Sequence, residues 1–269
     1  MVKIAIIEYS TYGHIVTLSK EIQKGIEAAG FKADIYQIAE TLPNDVLEKM
    51  HAPSKPNFPI ATLDVLIEYD AFIFGFPTRF GNAPAQVLEF IGGTGSIWQN
   101  GQLVGKPAGL FTSSATQGSQ EITLRNFLSI LAHHGMPFVP LGYTNAFAEQ
   151  ANVEQVHGGS PYGAGTFAAG DGSRQPTQLE LTIAFKQGEA FARTASKFYT
   201  SEKRSINKTG EKSTGATSTG AAATTTKPAQ ANTNATSHEK STSQPQRAAQ
   251  TSKAPETTDK SFCSKCIIM

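Results

Sequence analysis

One feature of the sequence restricts the fold of residues 1–200 more than any other. Apolar runs rich in β-branched residues alternate there with amphipathic helical patterns. The first run, residues 2–9, is followed by a helical pattern in which Ile15, Leu18, Ile22 and Ile26 share one face. Further strands are predicted at residues 31–38, 71–76, 108–112 and 138–141. Further helices are predicted at residues 63–67, 83–91, 121–133 and 179–199.

Strands that alternate with helices in this way imply a parallel sheet that is covered on both faces. Five strands in this layout predict an α/β fold, a flavodoxin-like doubly wound parallel sheet with the strand order 2-1-3-4-5. Ligands of such sheets bind at the carboxyl ends of the strands, next to the point where the strand order reverses. The loops after the first, third and fourth strands are therefore the candidate site.

Composition divides the chain near residue 200. Between residues 201 and 261 there is no aromatic residue and one large aliphatic residue, Ile206. Such a segment buries too little apolar surface to offset the entropy of ordering it, so we predict a folded domain at 1–200 and a disordered tether at 201–262. Residues 201–269 carry a net charge of +5, against −4 for residues 1–200. The dispersed positive charge favours an anionic membrane surface and does not indicate nucleic-acid binding.

The last seven residues contain both cysteines of the chain, Cys263 and Cys266. Cys266-Ile267-Ile268-Met269 has the form of a farnesylation signal, and Cys263 is a candidate for palmitoylation. Because two lipids anchor more stably than one, we expect a lipid-anchored protein on the cytoplasmic face of a membrane, the plasma membrane above all, with a soluble cytoplasmic pool. No apolar run is long enough to span a bilayer, and no metal site is predicted.

The first loop, residues 10–15, joins hydroxyl groups to the start of a helix. The hydroxyls of Ser10 and Thr11, the unpaired N–H groups of the helix start and the positive end of its dipole converge, as in anion sites. Because the loop contains no Lys or Arg, we expect neutral donors to hold the phosphate monoester of a larger cofactor. An ordinary turn with a serine N-cap is the alternative interpretation.

Two further polar loops follow the third and fourth strands: the second loop, residues 77–82, and the third loop, residues 113–119. A planar isoalloxazine ring needs backbone N–H and C=O groups at its edge and apolar surface on its faces. The second loop offers such an edge, and Phe80 or Arg79 could stack on the ring. Each loop alone is typical of a polar turn, whereas three at consecutive strand ends favour a cofactor site.

Six motifs resemble, in this order, those of the WrbA-type NAD(P)H:quinone oxidoreductases and their fungal flavodoxin-like relatives: residues 9–15, 77–82, 84–86, 131–136, 160–164 and 170–176. The resemblance covers residues 2–198 and none of the tail. It implies an FMN-binding domain that forms homodimers or homotetramers and passes two electrons from NADPH or NADH to a quinone. Such a reaction avoids semiquinone radicals and protects against oxidative stress.

The resemblance also implies roles for individual residues. Tyr12 would lie near the nicotinamide, Trp98 would form an aromatic wall, and His133 would approach the flavin from a neighbouring helix and serve as a proton donor. The residues expected to bind FMN are Ser10, Thr11, Tyr12, Gly13, His14, Ile15, Pro77, Thr78, Arg79, Phe80, Gly81, Asn82, Ser113, Ser114, Ala115, Thr116, Gln117, Gly118, Ser119 and His133.

Several of these residues have a second interpretation. Trp98 could fill an interface or the core, and His133 and His134 could cap their helix or bond across subunits. Arg79 could stabilise the reduced flavin or pair with a carboxylate across a subunit boundary. Residues 171–176 are typical of a structural or interfacial turn before the last helix.

The third loop departs from the family at three positions where glycines are usual: Ala115, Gln117 and Ser119. Side chains restrict positive φ and close approach to a ligand, so we expect weaker FMN binding. Two other functions stay open on the sequence. A membrane-organising or signalling protein with little catalysis is favoured by this loop and the long tail. A one-electron carrier is disfavoured by Tyr12, His14 and the insertion around Trp98.

Overall fold

The computed structural model of the protein describes residues 2–209, with side chains described for residues 2–199. The predicted tether beyond residue 209 and the lipidation signal at 263–269, with Cys263 and Cys266, lie outside the described residues. The domain boundary at residue 200 and the lipid anchor therefore stay predictions. Within the part that the structure describes, no helix is both long and apolar enough to cross a membrane.

Five parallel strands form one sheet in the order β2-β1-β3-β4-β5, which confirms the predicted fold class. The strands are β1 (Lys3–Glu8), β2 (Lys32–Gln37), β3 (Ala71–Pro77), β4 (Ala108–Ser114) and β5 (Gly165–Phe167). The helices are α1 (His14–Ala28), α2 (Asn44–Lys49), α3 (Leu63–Glu68), α4 (Ala85–Gly92), α5 (Gly95–Gln99), α6 (Gln120–His133), α7 (Phe147–Gln150) and α8 (Gln178–Thr209).

The sheet separates two apolar cores, because successive side chains of a strand point to opposite faces. In β1, Ile4 and Ile6 belong to the core formed with α1 and α8, whereas Ala5 and Ile7 belong to the core formed with α3, α4 and α6. Both faces are thus covered, as an all-parallel sheet requires. The packed strands hold their carboxyl ends, and the loops that follow them, in fixed positions.

The predicted position of the fifth strand, residues 138–141, is wrong. Phe138 forms an isolated parallel bridge to Ala108, whereas β5 pairs with the carboxyl end of β4, at residues 112–114. Pro137 and Pro140 flank the bridge, and proline has no N–H with which to continue a ladder. The chain therefore leaves the sheet here, makes an excursion that includes α7, and returns as β5.

The remaining differences concern helix ends and short helices. α8 continues to Thr209, beyond the predicted end at residue 199, through a stretch that contains the helix-forming residues Glu202, Lys203 and Arg204. The sequence pattern does not predict α2, α5 and α7, which have six, five and four residues. The helical period is a weak signal in segments this short, and among the described helices of six residues or fewer it identifies α3 alone.

Candidate functional site

The three predicted loops meet at one edge of the sheet. β3 lies between β1 and β4, and all three strands are parallel, so the first, second and third loops leave from neighbouring strand ends. The N–H of Thr78 donates to the carbonyl of Ser113 (2.8 Å), which extends the pairing of β3 and β4 into the second and third loops. The strand order reverses between β1 and β3, where doubly wound sheets bind their ligands.

The first loop forms a cradle of N–H groups. Ser10 Oγ accepts the N–H of Gly13 (3.0 Å), and Gly13 has a φ of 89°, which a side chain would disfavour. The first hydrogen bond at the start of α1 runs from the N–H of Thr17 to the carbonyl of Gly13 (3.0 Å). Among residues 2–209, no group accepts the N–H of Thr11 or of Tyr12. Unpaired donors at a helix start fit a phosphate group.

The side chains of the first loop point in different directions. Ile15 lies in the apolar core, so that its backbone alone is available to a ligand, and Thr11 is buried as well. Tyr12 is exposed, and its hydroxyl donates to the carbonyl of Met50 (3.3 Å), in the segment after α2. The loop therefore presents backbone donors to the sheet edge and an aromatic ring to solvent.

His14 connects the first loop to the turn directly before α8. Its Nε2 lies 2.8 Å from the carbonyl oxygen of Arg174, and a carbonyl oxygen can only accept, so this nitrogen carries the proton. The Arg174 guanidinium donates to the fully buried carboxylate of Glu180 (3.1 Å). Glu180 also accepts the N–H groups of Gly158 and Thr177 (both 2.8 Å). A buried ion pair thus fixes this turn against the first loop.

The second loop is a tight turn with an aromatic residue at its tip. Arg79 and Asn82 exchange two backbone hydrogen bonds (2.8 and 2.9 Å), and the residues between them, Phe80 and Gly81, have φ values of 53° and 74°. Two positive φ angles are the mark of a type I′ turn, and the one at Phe80 costs about 1–2 kcal/mol. The Phe80 ring is 91% exposed. The turn therefore presents an apolar ring beside the cradle.

Arg79 bridges the first and second loops. One guanidinium nitrogen donates to Thr11 Oγ1 (3.2 Å) and the other to the carbonyl of Thr78 (2.8 Å). Thr78 is itself fixed, because its hydroxyl lies 2.6 Å from that of Thr123 and accepts the N–H of Gly81 (3.2 Å). A positive charge from the second loop is thus placed next to the first loop.

The third loop follows the buried residues Ser113 and Ser114, and Ser114 Oγ donates to the carbonyl of Thr116 (2.8 Å). Within this loop, Gly118 alone has a positive φ, of 97°. Backbone φ is not positive at the three positions where the family has glycines: Ala115, Gln117 and Ser119. The missing glycines therefore cause no φ strain in this loop, and weaker FMN binding stays a prediction that its backbone does not support.

Gln120, which the sequence pattern does not single out, holds the third loop on β5. Its buried amide donates to Ser114 Oγ (3.0 Å) and to the carbonyl of Thr166 (2.8 Å), and accepts the N–H of Gly159 (2.7 Å). A cavity of about 440 Å³ opens beside this loop, within the size range of small-molecule sites. Its lining residues are Ala115, Thr116, Gln117, Val156, Phe167, Ala169 and Arg174.

His133 and Trp98 lie at the opposite edge of the sheet. α6 begins beside the third loop with Gln120 and ends with His133, and a rise of 1.5 Å per residue puts these ends about 20 Å apart. Trp98 is 58% exposed and donates its indole N–H to the carbonyl of His133 (2.9 Å). Within one chain, the structure therefore does not bring His133 and Trp98 to the three loops.

A second cavity, of about 330 Å³, lies next to these two residues between α4, α5 and α6. His133 Nδ1 is 2.7 Å from the carbonyl of Ser129 in its own helix, and His134 Nε2 is 3.0 Å from Thr94 Oγ1. Burial, and then the charge of His133, lower the pKa of His134. His133 thus bonds a carbonyl of its own helix, and His134 bonds the residue before α5, so that neither ring caps a free carbonyl at the end of α6.

Two acids lie beneath the first loop. Glu8 ends β1 and is 1% exposed; burial raises the pKa of its carboxyl to about 7, although Lys55 acts in the opposite direction. Among the described residues, no group bonds its Oε2. Burial also disfavours the charged form of Glu40, but hydrogen bonds from Lys55, the N–H of Leu42 and the hydroxyl of Tyr9 outweigh it and lower the pKa.

A family model described as NADPH-dependent FMN reductase matches residues 2–150, more than half of the chain. The chain belongs to this family. The NAD(P)H quinone oxidoreductase YCP4 of Candida albicans is 64% identical over 213 residues, which cover 78% of this chain and 74% of that protein. The NAD(P)H quinone oxidoreductase PST3 of the same organism is 61% identical over 196 residues, which cover 72% and 98%. The resemblance to the WrbA-type quinone oxidoreductases is thereby confirmed.

Among solved structures, the flavodoxin, WrbA-like protein from Agrobacterium tumefaciens matches with a TM-score of 0.53 at 21% identity, over 74% of this chain and 99% of that one. At this identity, the match concerns the fold. In this member of the NADPH-dependent FMN reductase family, the first loop fits the FMN phosphate, because the N–H groups of Thr11 and Tyr12 have no acceptor among residues 2–209. The second loop and the 440 Å³ cavity lie beside it for the rest of the cofactor.

Proposed function

We propose that the chain is an FMN-dependent NAD(P)H:quinone oxidoreductase, which binds the nicotinamide and the quinone in turn and reduces the quinone by two electrons. The family match and the names of the similar proteins support this activity. The single observation that carries it is the first loop, where the N–H groups of Thr11 and Tyr12 have no acceptor among residues 2–209, with the second and third loops on the adjacent strand ends.

In this proposal, FMN would supply the hydride chemistry between the nicotinamide and the quinone when bound, and the protein would supply binding, orientation and charge. The first loop holds the phosphate with the N–H groups of Thr11 and Tyr12 and the start of α1. The second loop places Arg79 and the Phe80 ring at the site. The third loop, fixed by Gln120, forms the wall on the β5 side.

The proposed active form is a homodimer or homotetramer. Measured along α6, His133 is about 20 Å from the start of the helix beside the third loop and about 10 Å from Asn126, whose amide donates to the carbonyl of Gly81 in the second loop (2.9 Å). An aromatic wall and a proton donor at the flavin would therefore come from a second copy. Trp98 supports this role because it is exposed beside the 330 Å³ cavity.

We further propose that lipids on Cys266 and Cys263 hold the enzyme at the cytoplasmic face of a membrane, near lipid-soluble quinones. Full two-electron reduction there would limit semiquinone formation and oxidative stress. The carboxyl-terminal motif supports this location. Cys266→Ser should move the full chain from the membrane fraction of its cells to the soluble fraction, and unchanged fractionation would contradict the anchor.

The activity is tested with the purified full chain. It should show flavin absorbance after addition of FMN, and should oxidise NADPH when benzoquinone is present. Ser10→Ala removes the acceptor for the N–H of Gly13 and is expected to weaken FMN binding about three- to tenfold, the usual value of one hydrogen bond. Ser196→Ala is the control, because this hydroxyl donates to the carbonyl of Arg193 in α8, away from the three loops.

Three results would argue against the proposal. A chain that stays colourless after addition of FMN would contradict the cofactor site. Bound FMN with turnover at background would favour the membrane-organising or signalling protein. Two separate one-electron potentials in a redox titration would favour the electron carrier.

A further inference from the structure

Lys55 reaches the first loop from a distant, proline-rich segment of the chain. Its Nζ donates to the carbonyl of Ser10 (2.6 Å) and contacts Glu40 Oε2 (2.9 Å). The same ammonium lies 4.5 Å from the centre of the Tyr9 ring. A cation is thus bonded to the backbone of a loop that has no Lys or Arg of its own.

The contact with Ser10 fixes the direction of the next N–H group. In a planar trans peptide, the C=O and the N–H point in opposite directions. Because Lys55 holds the carbonyl of Ser10, the N–H of Thr11 points away from Lys55. Thr11 is 3% exposed, and no group among residues 2–209 accepts this N–H. Because buried N–H groups are almost always paired, this donor indicates that a ligand binds here.

We infer that Lys55 is a positioning residue for the FMN phosphate: it holds the carbonyl of Ser10 so that the N–H of Thr11 faces the phosphate. The inference rests on the proposed function, in which the first loop binds that phosphate. Lys55 lies on the far side of the peptide group and acts through it. An ammonium on the carbonyl also makes the N–H a stronger donor, because hydrogen bonds in series polarise one another.

The surroundings of Lys55 restrict its ammonium to this position. Glu40, its ion-pair partner, accepts hydrogen bonds from the hydroxyl of Tyr9 (2.9 Å) and the amide of Gln86 (2.8 Å). Lys55 and Glu40 are both mostly buried, with 27% and 15% of their side chains exposed. In this inference, neutral donors hold the phosphate, as the sequence predicts, and the ammonium of Lys55 orients one of those donors.

The test compares two ligands that differ by the phosphate. Affinities for FMN and for riboflavin are measured by quenching of flavin fluorescence with the full-length apoprotein. Lys55→Met removes the ammonium and keeps the length of the side chain. The loss of a hydrogen bond from a charged donor is expected to weaken FMN binding about ten- to hundredfold. Riboflavin binding is expected to change less than about threefold, since no phosphate is present.

Two further variants complete the set. Lys55→Arg keeps a charged donor and is expected to restore most of the FMN affinity. Lys49→Met is the matched control, because Lys49 is exposed in α2 and pairs there with Asp45 (3.0 Å). It should leave the affinities for both flavins unchanged.

Equal weakening of FMN and riboflavin binding by Lys55→Met would overturn the inference, because it would show a structural role alone. Unchanged FMN affinity would overturn it as well. If circular dichroism shows that Lys55→Met does not fold, Lys55→Gln decides by the same comparison. Failure of the wild-type chain to bind FMN would be seen before any variant is compared, and would contradict the proposed function together with this inference.

Discussion

Replacement of Glu8 by glutamine should make the protein more stable at neutral and alkaline pH. The carboxyl of Glu8 is buried at the end of β1, and burial raises its pKa from 4.5 to about 7. The folded state therefore binds this proton more tightly than the unfolded state does. Stability from this group is fully present below pH 4.5 and is lost as the pH rises through 7.

The size of the effect follows from the shift in pKa. Each unit is worth 1.36 kcal/mol, so ionised Glu8 lowers the free energy of unfolding by about 3 kcal/mol at pH 8. Glu8→Gln has nearly the same shape and cannot ionise. We therefore expect the variant to exceed the wild type by about 3 kcal/mol at pH 8 and by less than about 1 kcal/mol at pH 5.

Urea unfolding of the FMN-free full chain at pH 5, 6, 7 and 8 measures this difference. Glu48→Gln is the control, because Glu48 is exposed in α2 and should give a difference that does not change with pH. Wild-type and Glu8→Gln curves that stay parallel from pH 5 to 8 would refute the reasoning, since they would show that Glu8 ionises in the fold as it does in the unfolded chain.

Two further variants, each with a control variant, test the packing that supports the site. Glu180→Gln leaves the Arg174 guanidinium without its buried carboxylate and should lower the free energy of unfolding by about 3–5 kcal/mol in urea. Glu189→Gln, in a partly exposed pair with Arg193, should cost less than about 1 kcal/mol. Gly75→Ala would place a Cβ 1.9 Å from the Phe111 ring and should lower the melting temperature by an amount equivalent to about 1–3 kcal/mol or more. Gly92→Ala, with open space around the new methyl, should leave it unchanged or raise it. Equal effects in either pair would contradict the packing argument.

The elements that the sequence predicts best are those with strong apolar patterns. β1, β3 and β4 are almost continuous buried runs, and α1 repeats its apolar residues at helical spacing, so that local sequence suffices to identify them. The strand order and the three loops at one edge follow from this alternation. β5 has three residues and lies after a long excursion, so that no local pattern distinguishes it from a loop.

The residues of the candidate site also fall into two groups, those that the sequence places correctly and those that it does not. Ser10, Gly13 and Phe80 can be placed from the sequence because they follow strand ends directly. Lys55 could not be placed, because its contact with Ser10 joins residues 45 positions apart and depends on the path of an irregular segment. The motif that contains His133 does not indicate how far this residue lies from the loops, because that distance depends on the length of α6.

The interruption of the fifth sheet position also bears on solubility. The outermost strand on each side of an open sheet has unpaired N–H and C=O groups, to which a strand of another molecule can bind. On one side of the sheet, this border consists of a bridge at the half-buried Phe138 and the three buried residues of β5. On the opposite edge, Gln37 of β2 is already bonded on its outer side by Pro59 and Ala61 (2.9 and 2.8 Å). Within the described residues, an incoming strand would therefore find three residues of β5 on one side, and on the other side a six-residue strand whose last residue is already paired, which limits edge-to-edge pairing with another copy.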